Sequence, residues 1–599
     1  MKVTTVLTAA FLAATGLAQN VSTFYNPVIT GFHPDPTCTF VPELNNTFFC
    51  TFSSFITFPG LPIYASRDLV NWKLVSNAFS RPEQLPAIGT LQRGSTGGIY
   101  APTLRYRDGQ FIIFTTLVNQ ALYGNNCMIT SHLLRTAQLM QADTRFDNFI
   151  LTGTNPYNSS TWSDPIRFDF PGIDPSPFWD DDGTTHMTAS FNGTTILQAP
   201  MDFETGEILG PLVSIWTGTG LPSPEAPHVY KKDGWYYLLT AEGGTRERHR
   251  SIFARSRSLY GLYEGDPANP VLSGYLSQSY FQAVGHSDIF PDASGHYWAI
   301  ALAVRAGYSY NFDPYNSIFP MGREAVLTPV QWVEGKWPTY QNVSGVMTGD
   351  FTLPQGSVPE EGEGGLSEAD DVVNSEPGSK LPAHVFHWRL PVGEARGNYA
   401  ISPEGHNNSL MLLSSKLNLT GYDADSTRGQ GQTFVARRQS HTRFRFSVDV
   451  DWSGLKREQE EVGASALMDQ AQHFDISVAI LKTNGSGDLA PHIRFRGIST
   501  TTYRLPERFK YVDEAFPLPE ALVGQKVRLQ VEGLNTTHYA FSAGPGGCDE
   551  DTPLEIYGYT RGNYLVPYYS GVVLGTYATS NGLEQARELP ADQLPVYWD

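Results

Sequence analysis

Charged residues make up only 17% of this 599-residue sequence, and basic ones are the scarcer, 41 Lys+Arg against 60 Asp+Glu, for a net charge of −19 at pH 7. A field of that sign repels phosphate backbones and anionic bilayers, so neither nucleic acid nor a membrane is expected as partner. Only four cysteines occur, at positions 38, 50, 127 and 548, with no C-x-x-C spacing. That excludes a disulfide-dense scaffold and a cysteine zinc site. Cys38 and Cys50 flank one expected hairpin, where they either pair or stay as two buried thiols. No apolar run reaches the ~20 residues that cross a bilayer. Long amphipathic helical patterns are scarce, and G-x-S-x-G, H-E-x-x-H, a Walker loop and a dinucleotide fingerprint before a helix are all missing.

Aromatic side chains are plentiful: 34 Phe, 30 Tyr and 11 Trp, 13% of the chain. With 41% hydrophobic residues this is ample for ordinary cores, and the length calls for two or more folded units. A neutral ligand such as a sugar suits the charge balance. The chain opens Met1-Lys2-Val3 and continues with an apolar, small-residue run ending at Ala18, the pattern of a secretory signal over residues 1–18. Nine N-x-Ser/Thr sequons, at Asn20, Asn45, Asn158, Asn192, Asn342, Asn407, Asn418, Asn484 and Asn535, fit a secreted, extracellular glycoprotein.

Short β-branched and aromatic runs punctuated by Gly, Pro, Asn and Asp indicate an all-β protein. Five turn pairs stand between apolar runs: Asn45-Asn46, Asp108-Gly109, Asp182-Gly183, Asp233-Gly234 and Ser294-Gly295, spaced by 63, 74, 51 and 61 residues. Units of that size and number suggest a five-bladed β-propeller over residues 19–345. Residues 346–384 include an acidic stretch rich in Gly, Pro and Ser, read as a linker or surface excursion. Alternation returns in Phe444, Phe446, Val448, Val450 and Trp452 and in Val527, Leu529 and Val531, which predicts a C-terminal β-sandwich over 385–599. Residues 125–142 break the scheme with a short helical pattern, read either as a loop helix or as a gene-model artefact.

Upstream of the five turns lie HPDP, YAPT, IDPSP, EAPH and GHSD. Tyr100, Asp174, Glu225 and His286 each precede their turn by eight residues, and Asp35 precedes its own by ten. Equal phase in equivalent blades means equal depth in the central channel, so these five are expected at one mouth. Asp35 and Glu225 are then candidates for the two carboxyl groups of glycoside hydrolysis, one to activate water and one to protonate the leaving oxygen. Asp174, a third carboxylate, could hold the acid in place and raise its pKa by like-charge repulsion. His286 could coordinate a channel ion or water, or orient a carboxylate. Arg305 needs a partner, either a substrate hydroxyl or Asp174. Phe32, Phe55 and Tyr100 are candidates for a sugar-stacking wall.

The strings NPVITGFHPDP, GGIYAPTLRYRDG, SDPIRFDFPGIDPSPFWDDDG, EAPHVYKKDGWYYLLTAEGG, GHSDIF and MGREAVLTPVQW resemble glycoside hydrolase family 43, in its β-xylosidase and α-L-arabinofuranosidase branch with a C-terminal sandwich. The resemblance implies a five-bladed propeller followed by a concanavalin-like β-sandwich, and an inverting reaction with Asp35 as general base, Asp174 as pKa modulator and Glu225 as general acid. It also implies a His and an Arg where His286 and Arg305 stand, and often a calcium ion or water in the channel. No organic cofactor is required. Two departures stand out: the family's E-G-P-H is EAPH here, and its W-A-P tryptophan is Tyr100. The expectation is an exo-acting hydrolase releasing terminal α-L-arabinofuranose or β-D-xylose from plant cell-wall arabinoxylan, arabinan or their oligosaccharides. The rival readings are an endo-arabinanase and a carbohydrate-binding protein without catalysis.

Overall fold

The computed structural model describes residues 22–598 apart from 92–96, 120–145, 307–317, 357–359, 363–370, 392–396, 422–430, 484–486, 500–510, 566–568 and 583–595. The signal-like segment, the whole of the 125–142 puzzle and the sequons Asn20 and Asn484 fall outside the described residues.

Five antiparallel sheets follow one another along the chain, each with its strands in sequence order. Their innermost strands are Thr37–Val41 in blade 1, Gly98–Arg107 in blade 2, Ile173–Trp179 in blade 3, Glu225–Lys232 in blade 4 and Phe281–Pro291 in blade 5. All five anticipated turn pairs lie in the connection that follows the innermost strand. Asp108-Gly109 and Asp233-Gly234 are two-residue turns with positive φ at both positions, the geometry whose twist matches the flanking strands. The N-terminal strand Ser22–Tyr25 pairs with Val346–Gly349, and Asn26 exchanges hydrogen bonds with the backbone of Leu327, which clasps the chain's start to blade 5.

Besides Ala283 (φ 50°) in blade 5, each innermost strand has one left-handed non-glycine residue, near or just before its start in blades 1 to 4 and at mid-strand in blade 5. These are Asp35 (φ 55°), Ala101 (37°), Asp174 (58°), Ala226 (53°) and His286 (48°). In blades 2 to 5 the strand register shifts at the same place. A bulge re-aims the side chains around it, so these four, with the left-handed Asp35 just ahead of the blade 1 strand, turn residues into one end of the channel. This corrects the equal-phase reading. Asp35, Asp174 and His286 occupy the left-handed position itself, whereas Tyr100 and Glu225 stand one residue before it.

Cys38 and Cys50 face each other across the first hairpin, Cα atoms 4.1 Å apart, and form a disulfide. The acidic stretch is not a free tether in its described parts. Glu360 is buried against blade 1, paired with Arg67 at 2.5 Å and accepting hydrogen bonds from Thr47 and Tyr157.

The C-terminal unit is a sandwich of two seven-stranded antiparallel sheets. The expected alternation pairs in register: Phe446 with Val531, Val448 with Leu529, Val450 with Val527. One apolar cluster runs from Phe32, Ile56 and Phe79 of the propeller through Phe386, Trp388 and Leu390 into Phe434, Leu467 and Tyr577 of the sandwich. At about 1.5–3 kcal/mol for each fully buried large side chain, this docks the two units firmly. The backbones touch as well: a Cβ on Gly322 (φ 78°) would lie 2.6 Å from the Ser570 carbonyl oxygen.

Of the seven described sequon asparagines, Asn45, Asn158, Asn192, Asn342, Asn407 and Asn535 are exposed. Asn418 is buried and donates to Asn581, so a glycan there would disrupt packing.

Candidate active site

Asp35 sits between two prolines just before the innermost strand of blade 1, almost wholly buried. Its Oδ1 accepts from Arg323 Nη1 at 2.9 Å and lies 3.4 Å from His286 Nδ1, and its Oδ2 accepts from the Ser53 hydroxyl at 2.5 Å. Ser53 Oγ in turn accepts from the backbone N–H of Ala101 at 2.6 Å, tying Asp35 to the bulge of blade 2. Burial works to raise the Asp35 carboxyl, but Arg323, His286 and the Ser53 hydroxyl outweigh it and hold it below the ordinary carboxylate value.

Asp174, buried at the bulge of blade 3, accepts from the backbone N–H of Ala226 at 2.9 Å. Its pKa is raised by burial and by Asp35, against the pull of His286. The bond reaches into the bulge beside Glu225, so Asp174 holds in place the strand start that carries it. Ala226 occupies the point where the family pattern has glycine. A left-handed backbone costs an L-residue about 1–2 kcal/mol, and the bond to Asp174 helps to hold Ala226 there.

Glu225 is half-buried, its Oε1 3.9 Å from Nδ1 of the buried His249. Burial, then the charges of Asp174 and Asp35, push its pKa up to about 8, with Arg323 opposing. His249 is pushed down to about 3, first by burial and then by His286 and Arg323, so it stands neutral beside Glu225, and its Nδ1 donates to the Gly244 carbonyl at 2.7 Å. The three carboxylates and His286 therefore meet in one electrostatic neighbourhood, with one carboxyl biased to the ionised form and another to the protonated one.

The expected aromatic residues form a row. Tyr100 is partly exposed and packs edge-on against Phe55, ring centroids 5.2 Å apart, with Phe32 behind at 6.4 Å from Phe55. Phe32 and Phe55 are only 1% exposed, so they support the wall from behind rather than present a face to a ligand. Gly98 lets the strands approach this closely, since a Cβ there would fall 2.1 Å from the Phe55 carbonyl oxygen.

Arg305 does not reach Asp174. Its guanidinium is bound by Glu324, at 2.5 Å from Nε and 2.7 Å from Nη2, and Glu324 also accepts from the backbone N–H of Gly31. The arginine that serves the carboxylates is Arg323, eighteen residues on in the next strand of blade 5. Sequence reasoning passed over it because it lies outside the five innermost strands, although the matched string MGREAVLTPVQW contains it. Ser53 and His249 were also missed. Tyr569 had no local signal at all: it belongs to the sandwich, yet its carbonyl accepts from Arg323 Nε at 3.0 Å and its ring lies 6.2 Å from that of Tyr100.

Below this layer the channel holds a second set of polar groups, which tests the expected cation. Asp288 Oδ2 accepts from Thr37 Oγ1 at 2.7 Å and from Arg105 Nη1 at 2.8 Å, and its Oδ1 accepts from Tyr230 OH at 2.7 Å. Arg105 Nη2 lies 3.2 Å from His228 Nδ1, which also faces Ser176 Oγ at 3.0 Å. The donors that a calcium ion would need are already engaged by a guanidinium. Among the described residues, no group of three His, Cys, Asp or Glu is arranged to hold a metal, and His286 faces Asp35. A calcium ion coordinated by Asp288 does not fit these residues.

Residues 24–338 match the glycosyl hydrolases family 43, and residues 402–592 match the β-xylosidase C-terminal concanavalin A-like domain. The chain belongs to glycoside hydrolase family 43. It is 31% identical to the non-reducing end α-L-arabinofuranosidase BoGH43B of Bacteroides ovatus, over 98% of this chain and 96% of that protein. It is 33% identical to a xylosidase/arabinosidase of Butyrivibrio fibrisolvens, over 55% of this chain and 58% of the relative. Among solved structures, the xyloglucan-locus GH43B of Bacteroides ovatus superimposes with a TM-score of 0.74 at 29% identity, covering 96% of this chain and 98% of that one. A xylan β-1,4-xylosidase from Bacillus halodurans gives the same TM-score at 23% identity and shares the fold. This family 43 chain is a glycoside hydrolase, a five-bladed propeller followed by a concanavalin-like sandwich.

Proposed function

We propose that this family 43 enzyme is a secreted, exo-acting, inverting hydrolase that removes terminal pentoses, α-L-arabinofuranose or β-D-xylose, from arabinoxylan or xylo-oligosaccharides. The observation that carries the reading is the opposite bias of two carboxyl groups in one pocket: Asp35 held ionised by Arg323, Glu225 held protonated up to about pH 8. In an inverting reaction the ionised Asp35 takes a proton from water as that water attacks the anomeric carbon. Glu225 delivers its proton to the glycosidic oxygen, so that the leaving sugar departs as a neutral alcohol. Asp174 keeps Glu225 protonated through its charge and holds the Ala226 bulge beside it. Tyr569 coming over from the sandwich toward Tyr100 supports a closed pocket, and hence exo action, over the open groove of an endo-arabinanase. The near full-length match to an enzyme named non-reducing end α-L-arabinofuranosidase favours arabinofuranose as the first substrate to try. Secretion rests on the N-terminal signal pattern and the exposed sequons.

The test is release of arabinose or xylose by wild type and by Glu225→Ala. A positioned general acid contributes about 10²–10⁴-fold, and the variant should lose that much on natural linkages and far less on aryl glycosides whose leaving group needs no proton. Equal release by both proteins would remove Glu225 as general acid, and no release by either would leave the carbohydrate-binding reading standing instead. Proton NMR of the first-formed sugar decides the stereochemistry, and a retained anomer would remove Asp35 as water activator.

A further inference from the structure

The channel beneath the catalytic layer is tied together by side chains from all five blades. Thr37, Ser176, His228 and Asp288 each stand two residues beyond the left-handed residue of their own blade, Asp35, Asp174, Ala226 and His286. Their contacts place them in one tier: Thr37 and Arg105 donate to Asp288, and Ser176 and Arg105 both face His228 Nδ1. Into this tier blade 2 sends Arg105. Its guanidinium is held at both ends, by the two oxygens of Asp288 at 2.8 and 3.3 Å and by His228 at 3.2 Å, and it also donates to Thr37 at 3.3 Å and to the Leu104 carbonyl at 2.8 Å. Asp288 is fully buried, and Tyr230 and Thr37 complete its shell.

We propose that Arg105 is the channel's own fixed cation, standing where a bound divalent ion would otherwise neutralise Asp288, and that it positions the strand starts bearing Asp35, Asp174 and Glu225. A buried carboxylate at the hub of five strands needs a countercharge. An ion would bind reversibly and make activity depend on its concentration, whereas a guanidinium on the blade 2 strand is permanent. Its fork geometry also fixes directions, since its two terminal nitrogens between them reach side chains of blades 1, 4 and 5. Arg105 touches none of the three carboxylates and acts through Thr37, His228 and Asp288. It is a positioning residue, and the catalytic layer inherits its spacing from the tier below.

The experiment uses the full-length enzyme and whichever pentoside wild type cleaves, so absence of any wild-type activity would count against the proposed function and not against this inference. Wild type treated with EDTA is expected to keep its kcat and melting temperature, and added calcium to change neither. Loss on EDTA treatment that calcium restores would overturn the proposal. Arg105→Lys keeps a charge in the channel, while Arg105→Met keeps only bulk. The methionine variant is expected to lose roughly tenfold to hundredfold in kcat with KM little changed, as expected for displaced catalytic groups, and the lysine variant clearly less. Equal kcat in the two variants, or wild-type kcat in Arg105→Met, would refute it. Partial recovery of Arg105→Ala by free guanidinium ion gives an independent positive sign, and Arg105→Ala that folds and binds substrate but gains nothing from guanidinium would count against it.

Discussion

Replacing Asp174 by Asn removes one negative charge beside Glu225 while keeping shape and an oxygen that can accept from the Ala226 N–H. Glu225 is held up first by burial, which the substitution leaves alone, and next by the charge of Asp174. Taking a separation of roughly 6 Å and an effective dielectric constant of about 20, that repulsion is on the order of 2–3 kcal/mol, reduced by the nearby Arg323 to one or two pH units. The sign follows from which form is active. Glu225 must carry its proton, so a smaller repulsion lets the proton leave at lower pH and activity fails earlier on the alkaline side. The alkaline limb of kcat/KM should therefore move from about 8 to roughly 6–7. Asp35 also loses a negative neighbour and ionises more readily, so the acid limb stays put or moves down, never up. The assay is kcat/KM against pH on an aryl α-L-arabinofuranoside and on a natural oligosaccharide. An alkaline limb that stays in place or moves upward would refute the electrostatic role of Asp174.

Three further outcomes follow from the contacts. Arg323→Met strips Asp35 of its cation, so the Asp35 carboxyl should rise and the acid limb should move upward, with kcat/KM falling on the order of a hundredfold; an unmoved acid limb would contradict the pairing. Tyr569→Ala leaves its carbonyl on Arg323 but removes the ring near Tyr100, so KM should rise about tenfold with kcat nearly kept, as steady-state kinetics on oligosaccharides will report. Glu360→Ala leaves Arg67, Thr47 and Tyr157 without their shared acceptor and should cost about 1–3 kcal/mol in denaturant unfolding, with activity unchanged; unaltered stability would mean that the acidic stretch is not pinned to blade 1.

The number of blades and the presence of a sandwich could be read from the chain because both are written in local signals: turn pairs with positive φ demands, and period-two alternation such as Phe446, Val448 and Val450 against Val527, Leu529 and Val531. Asp174 and Glu225 were marked by a local signal too, each eight residues before a turn, whereas Asp35 stands ten before its own. What local pattern does not hold is which residue of a bulge points into the channel, since one inserted residue changes the facing of all that follow, and Tyr100 and Glu225 differ from Asp174 by that single step. Nor does it hold partnership across long separations. Arg305 looked available for the pocket until the adjacent strand brought Glu324 against it and Arg323 against Asp35, and nothing near position 569 announces a contact with a propeller arginine. Strand periodicity and turn chemistry act within a few residues and so survive in a one-dimensional reading. The pairing of buried charges depends on which blades close the ring and how the sandwich docks, and it exists only once the chain has folded.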